Sequence, residues 1–154
     1  MSVVASLDEI VEAMELQSDD DSPYLSLKTG EVVVLSAEDI RYAEDEVDTE
    51  TLPDWQKYSV EIAQEVIKDE EENYIPLPSE FVIHEYSIME AFCYNQEGDI
   101  RSQLLNSIQK RGAFRRFKDD IIRFGIADKW YKYKEEALKD IAIQWCKSHN
   151  IKYN

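Results

Sequence analysis

Apolar residues recur along this chain at helical spacing in most places and as near-continuous runs in one. Leu7, Ile10, Val11 and Met14 fall at positions 0, 3, 4 and 7 of a stripe, the pattern of an amphipathic helix. Ser6-Leu-Asp-Glu9 reads as a capping box, in which the serine oxygen takes a free helix amide and the glutamate reaches back. Asp19 to Pro23 breaks this helix with charge and proline. Tyr24–Lys28, Thr29-Gly30 and Glu31–Leu35 predict an antiparallel β-hairpin, because β-branched, aromatic and aliphatic flanks meet at a glycine-bearing turn. Ser36-Ala-Glu-Asp39 opens a short acidic helix that fades by Thr49.

Pro53 suits the first turn of the next helix, where its missing N–H costs nothing. Trp55, Tyr58, Ile62 and Val66 are expected to form that helix's buried face. Acids at Asp69–Glu72 stand at its negative end, and Tyr74–Pro78 is extended because proline biases its predecessor away from helix. A helix over Glu85–Tyr94 turns Ile88, Met89, Phe92 and Cys93 inward. Asp99 is expected to cap a helix with Ile100, Leu104, Leu105 and Ile108 as its stripe. Gly112 interrupts it. Ala113–Phe124 then carries Phe114, Phe117, Ile121 and Phe124 on one side, and Gly125 supplies a left-handed stop. Asp128 caps a last helix to about Ser148, with Trp130, Ala137, Leu138, Ile141 and Trp145 at helical spacing. These elements predict an α+β, mainly α fold: one domain over residues 1–154, with five to seven short helices and an early hairpin. Strands do not alternate with helices, so no parallel sheet is expected.

A chain of 154 residues is long enough to bury a core without a disulfide or metal staple. It has no run of apolar residues able to span a bilayer. The N-terminal MSVVASLDEIVEAMEL lacks a basic leader and reads as neither signal nor transit peptide. Cys93 and Cys146 both fall inside predicted helices and read as buried thiols in a reducing compartment, which points to the cytoplasm. The four glycines, at 30, 98, 112 and 125, are too dispersed for a dinucleotide or phosphate-binding loop. His84 and His149 lie far apart with no Cys-x-x-Cys, so no metal site is expected. No cofactor motif and no recognisable nucleophile is present. Enzymatic function ranks last, with His84, Glu85, Glu90 and Arg115 as its only candidate members.

The net charge of −16 opposes general binding to nucleic acid or anionic membrane. It is unevenly spread. Residues 1–99 hold 27 acids and 4 bases, a net of −23; residues 100–154 hold 6 acids and 13 bases, a net of +7. The two regions can neutralise one another within one fold, or the basic third can face a partner.

Three strings carry a resemblance: YLSLKTGEVVVLS (Tyr24 to Ser36), RGAFRRFKD (Arg111 to Asp119) and FGIADKWYKYK (Phe124 to Lys134). With Ile75-Pro-Leu-Pro78 and the His84, Glu85, Tyr86, Met89, Glu90, Phe92 pattern, they resemble uncharacterised protein family 0158 of the UPF series, found in bacteria. The likeness runs along nearly the whole chain; Lys110 stands where the family pattern has glycine. It implies a small cytoplasmic bacterial protein and implies no activity.

The candidate site is Lys110–Lys118. Five cations crowd within nine residues around a glycine that precedes a helix start, an end whose free N–H groups favour anions and disfavour cations. Arg111, Arg115 and Lys118 share one face if the helix reaches back that far. Arginine offers a planar fork for carboxylate or phosphate. Arg111, Arg115, Arg116 and Lys118 are therefore expected either to bind an anion or acidic partner, or to grip carboxylates of the acidic region. Trp130 and Tyr131, interleaved with Lys129, Lys132 and Lys134, can contact nucleic-acid bases or simply pack. The leading expectation is a non-enzymatic interaction or regulatory module for an unidentified protein or phosphate-bearing ligand. The acidic region either covers the basic segment or binds a basic partner. The alternatives are a nucleic-acid-associated protein and an acidic mimic of nucleic acid.

Overall fold

The computed structural model describes residues 3–16, 20–79 and 83–154. Among these it contains seven α-helices, one 3-10 turn and two small sheets, a mainly α member of the α+β class. The predicted break at Asp19 lies outside the described residues. The chain gathers into two compact units: residues 1–79 with 142–154, and residues 80–141.

The first unit opens with β1 (Val4–Ala5) and α1 (Leu7–Glu15). Ser6 Oγ accepts the Glu9 N–H at 3.3 Å, so half of the expected capping box is present; the bond back from Glu9 is not made. Leu7, Ile10, Val11 and Met14 are all buried, as their spacing requires. β2 (Asp21–Ser26) and β3 (Val32–Ser36) form the predicted antiparallel hairpin, with Tyr24 opposite Val33. Strand β2 starts earlier than the sequence suggested and includes Pro23, whose carbonyl accepts the Leu77 N–H at 3.1 Å. The turn needs its glycine twice over. Gly30 has φ +78°, and a Cβ there would stand 2.4 Å from Val3 Cγ1 and 2.7 Å from the Val4 carbonyl oxygen.

Ser36 caps α2 (Ala37–Glu44) through the Asp39 N–H at 3.1 Å. A 3-10 turn (Thr49–Thr51) and α3 (Asp54–Ile67) follow, with Pro53 just outside the helix as its N-cap rather than within its first turn. β4 (Tyr74–Pro76) joins the sheet beside β2, giving the order β3-β2-β4. Leu35, Ala43 and Ala63 form a core cluster with Tyr24, Ile40, Ile62 and Val66 packed on it. The phase of α3 corrects the sequence reading. Its buried residues are Gln56, Val60 and Ala63, whereas Trp55 is 75% exposed and Tyr58 is also exposed. Small residues let α3 approach its neighbours closely, and Gln56 is satisfied by donating to Glu38 Oε1 at 2.8 Å. The expectation of no parallel sheet also fails: β5 (Lys152–Tyr153) pairs in parallel with β1, with Val4 opposite Lys152.

The second unit comprises α4 (Glu85–Tyr94), α5 (Gly98–Ser107), α6 (Ala113–Arg123) and the first part of α7 (Ala127–Ser148), whose last turns belong to the first unit. Its core combines an aromatic cluster with aliphatic side chains such as Met89, Leu104 and Ile121. Phe92 meets Phe117, Trp130 and Tyr133 edge to face at centroid distances of 5.9, 5.4 and 5.4 Å, and Phe117 meets Trp130 at 4.8 Å. Such pairs each contribute about 0.5–1.5 kcal/mol beyond burial. Two expected caps shift by a residue or so: Asp99 and Asp128 lie in the first turns of their helices, where their charge still favours the dipole. Gly125, at φ +69°, ends α6 as predicted. Phe114 does not join the core; it is 39% exposed and touches the edge of Tyr86.

Candidate cationic site at the start of α6

The site is set by how α6 begins. Gly112 is its N-cap, with φ +76° and no side-chain cap. The helix therefore starts at Ala113, and Arg111 lies before it rather than on the same helical face as Arg115 and Lys118. The first turn contains no acid and two arginines, Arg115 and Arg116. The first amides of a helix have no acceptor within it, and cations there oppose the dipole by about 0.3–1 kcal/mol each. This end of α6 is therefore electrostatically open to an anion.

The four predicted site residues divide sharply. Arg116 is half-buried, and its Nε donates to the Ser107 carbonyl at 2.9 Å, while its enclosed Nη2 has no hydrogen-bond partner among the described residues. Ser107 Oγ donates to Asp120, and Asp120 Oδ1 meets Arg123 Nη2 at 3.2 Å. Tyr86 Oη donates to the neighbouring Ile108 carbonyl at 2.8 Å. Arg116 and Tyr86 thus satisfy carbonyls at the end of α5, where a cation also complements the dipole. Arg116 is a structural tie between α5 and α6.

Arg111, Arg115 and Lys118 are exposed, and none is ion-paired among the described residues. The internal network with carboxylates of the acidic region, weighed above, is not formed by them. Arg115 and Lys118 stand three residues apart on α6, and the exposed Ile122 lies four further on along the same face. Trp130 is 4% exposed with its ring held by Phe92 and Phe117, the packing reading of that residue; Tyr131 is exposed. His84, Glu85, Glu90 and Arg115, the candidate members of an enzymatic site, are all exposed, and Glu85 is engaged by Lys134 Nζ at 2.8 Å. Among the described residues no three His, Cys, Asp or Glu side chains are placed to hold a metal, and no helix is long and apolar enough to cross a membrane.

Burial raises both thiols: Cys93 is pushed up to about 11, with help from Glu90 and Asp120, and Cys146 is raised by burial alone. Neither is poised as a nucleophile. Sequence reasoning missed Ser107 and Asp120, which decide the orientation of Arg116 and Arg123; their only signal was the hydroxyl at the end of one helix and the acid inside the next.

The fold and this site define a small, acidic, mainly helical α+β protein with an uncapped cationic helix start. The chain belongs to the Uncharacterised protein family (UPF0158), whose pattern matches residues 2–154. No curated protein and no solved structure matches it.

Proposed function

We propose that this protein is a non-enzymatic interaction module that binds an acidic segment of another protein at the start of α6. The observation that carries the reading is the pairing state of the cluster. Arg111, Arg115 and Lys118 are exposed and free of ion pairs among the described residues, in a chain with about twice as many acids as bases. Arginine forks accept carboxylates in bidentate geometry, and the uncapped amides of α6 add donors of the same sign. Exposed Phe114 and Ile122 beside these cations favour a partner with apolar side chains as well as acids. The chain's net charge of −16 works against a nucleic-acid backbone.

A pull-down with the tagged full chain tests this. A protein partner is expected to survive nuclease treatment, to be released by salt, and to be lost in an Arg111→Gln/Arg115→Gln/Lys118→Gln variant. Arg116 is left intact so that folding is preserved. Recovery unchanged in that variant, or recovery of nucleic acid that nuclease abolishes, would overturn the reading.

A further inference from the structure

A second feature lies in the first unit and is independent of α6. Helix α1 has two stripes. One is the buried core stripe; the other, Glu9, Glu12 and Ala13, continued by Leu16 at the C-cap, lines a cleft of about 490 Å³ with residues of the hairpin. Its apolar lining is aliphatic. Ala13 and Leu16 line it together with Pro23, Val32 and Val34, and Pro23 sits directly opposite Val34 in the sheet register. Leu16 is 71% and Val34 52% exposed. Two large aliphatic side chains are thus left in water on the walls of one concavity, while Leu35, on the other face of β3, is buried in the core cluster.

The charged lining has one sign. Glu9, Glu12, Asp21 and Glu31 line the cleft, and among the described residues no base does. Glu9, Glu12 and Glu31 are exposed and join no ion pair among the described residues. Glu9, which makes no return bond to the helix end, lines the cleft instead. The surrounding unit holds 22 acids and 6 bases, which focuses cations toward it. The volume falls in the range that accommodates a short segment of side chains or a small molecule. A bare metal ion does not suit a lining in which Ala13, Leu16, Pro23, Val32 and Val34 outnumber the acids.

We propose that this cleft docks a basic, aliphatic-bearing peptide segment of a partner protein. Its aliphatic side chains lie on Leu16 and Val34, and its ammonium or guanidinium groups meet Glu9, Glu12 and Glu31. Charge complementarity sets the sign of the partner, and the aliphatic lining distinguishes it from a purely ionic counter-ion.

The test is an NMR titration of the isotope-labelled full chain at about 150 mM salt, where long-range attraction is screened. The probe is acetylated, amidated Lys-Leu-Lys-Leu-Lys-Leu-Lys. Its expected effect is saturable shifts confined to residues 9–16 and 31–34. The Lys-Ser counterpart is expected to bind about tenfold more weakly, and a Glu-Leu counterpart to leave those residues unmoved. A Glu9→Gln/Glu12→Gln variant and a Leu16→Ser variant each lose about tenfold in affinity, whereas Glu70→Gln/Glu71→Gln, equal in charge but outside the cleft, changes it less than about twofold. All these positions are exposed, and circular dichroism confirms that each variant folds. Equal binding of the Lys-Ser peptide or of spermine, or shifts spread over the acids of the whole unit, would overturn the proposal. So would self-association by sedimentation that Glu9→Gln/Glu12→Gln abolishes, which would give the cleft to a second copy.

Discussion

The two units differ most in charge. The first, residues 1–79 with 142–154, holds 22 acids and 6 bases and therefore carries −16, the net charge of the entire protein. The second, residues 80–141, holds 11 of each and is neutral by count. A cut drawn along the sequence after Asp99 hides this, because the five acids from Glu80 to Asp99 belong with the basic helices. Yet neutrality by count is not pairing. Among the described residues only Arg123 and Lys134 of the second unit's bases are ion-paired, and Arg111, Arg115 and Lys118 stay in water. The lesson is that a charge surplus does not by itself silence a cluster of the opposite sign; geometry must bring the partners together, and exposed pairs contribute little even then.

The second unit's core adds a buried aromatic cluster of Phe92, Phe117 and Trp130 to its aliphatic residues, and the largest predicted effects follow. Phe117→Ala removes edge-to-face partners from Phe92 and Trp130 in the second unit and should lower the unfolding free energy by about 3–5 kcal/mol, read from the urea midpoint. Leu35→Ala in the aliphatic first unit should cost about 2–4 kcal/mol. Near-zero losses at Phe117 would break the contrast. Gly30→Ala should cost about 1–3 kcal/mol, since it combines positive φ with a collision against the Val4 carbonyl.

The arginines sharpen the comparison at a smaller scale. Arg116→Ala should cost about 1–3 kcal/mol by stranding the Ser107 carbonyl, whereas Arg115→Ala should change stability by less than about 0.5 kcal/mol. Equal effects would mean that the two are not divided between structure and surface.

One alkaline pH effect is expected from each unit. Cys93 rises from an ordinary 9.0 to about 11 through burial, and Tyr74 rises from 10.0 to about 12 because its hydroxyl donates to Glu65 Oε2 at 2.7 Å. In both cases folding favours the protonated group. Their contribution is complete below the unfolded values and is lost as pH rises, over 9 to 11 for Cys93 and 10 to 12 for Tyr74. Ultraviolet titration should show the late ionisation of Tyr74, and Tyr74→Phe should remove that phase. A thiol reagent at pH 8 should leave both cysteines unmodified until the protein unfolds. The smallest effect is that of salt: raising it from about 0.02 to 0.5 M should stabilise the chain by about 1 kcal/mol or less, through relief of repulsion within the first unit.

Local signals were legible in the sequence. The Ser6 and Ser36 caps, the Thr29-Gly30 hairpin and the Gly125 stop each depend on a few neighbouring residues, and each stands where its residues put it. Long-range pairing was not. β1 and β5 contribute two residues each, too few to show a period, and they meet from opposite ends of the chain. The phase of α3 was misjudged because Trp55 and Tyr58 outrank Gln56 in hydrophobicity, while close helix packing selects small residues and a satisfiable amide. The basic segment was legible as a cluster. Its division was not, since nothing in RGAFRRFKD distinguishes the arginine that reaches Ser107 from the one that faces water.

The central claim is that the second unit, neutral by count, presents an unpaired cationic helix start. Calorimetric titration of a glutamate-and-leucine peptide into the full chain tests it most directly, with Arg115→Gln/Lys118→Gln set against the ion-paired control Arg123→Gln. Binding is expected to weaken steeply with salt, to fall about tenfold or more in the double variant and to change less than about twofold in the control. Binding that is indifferent to the double variant, or equally sensitive to the control, would contradict it.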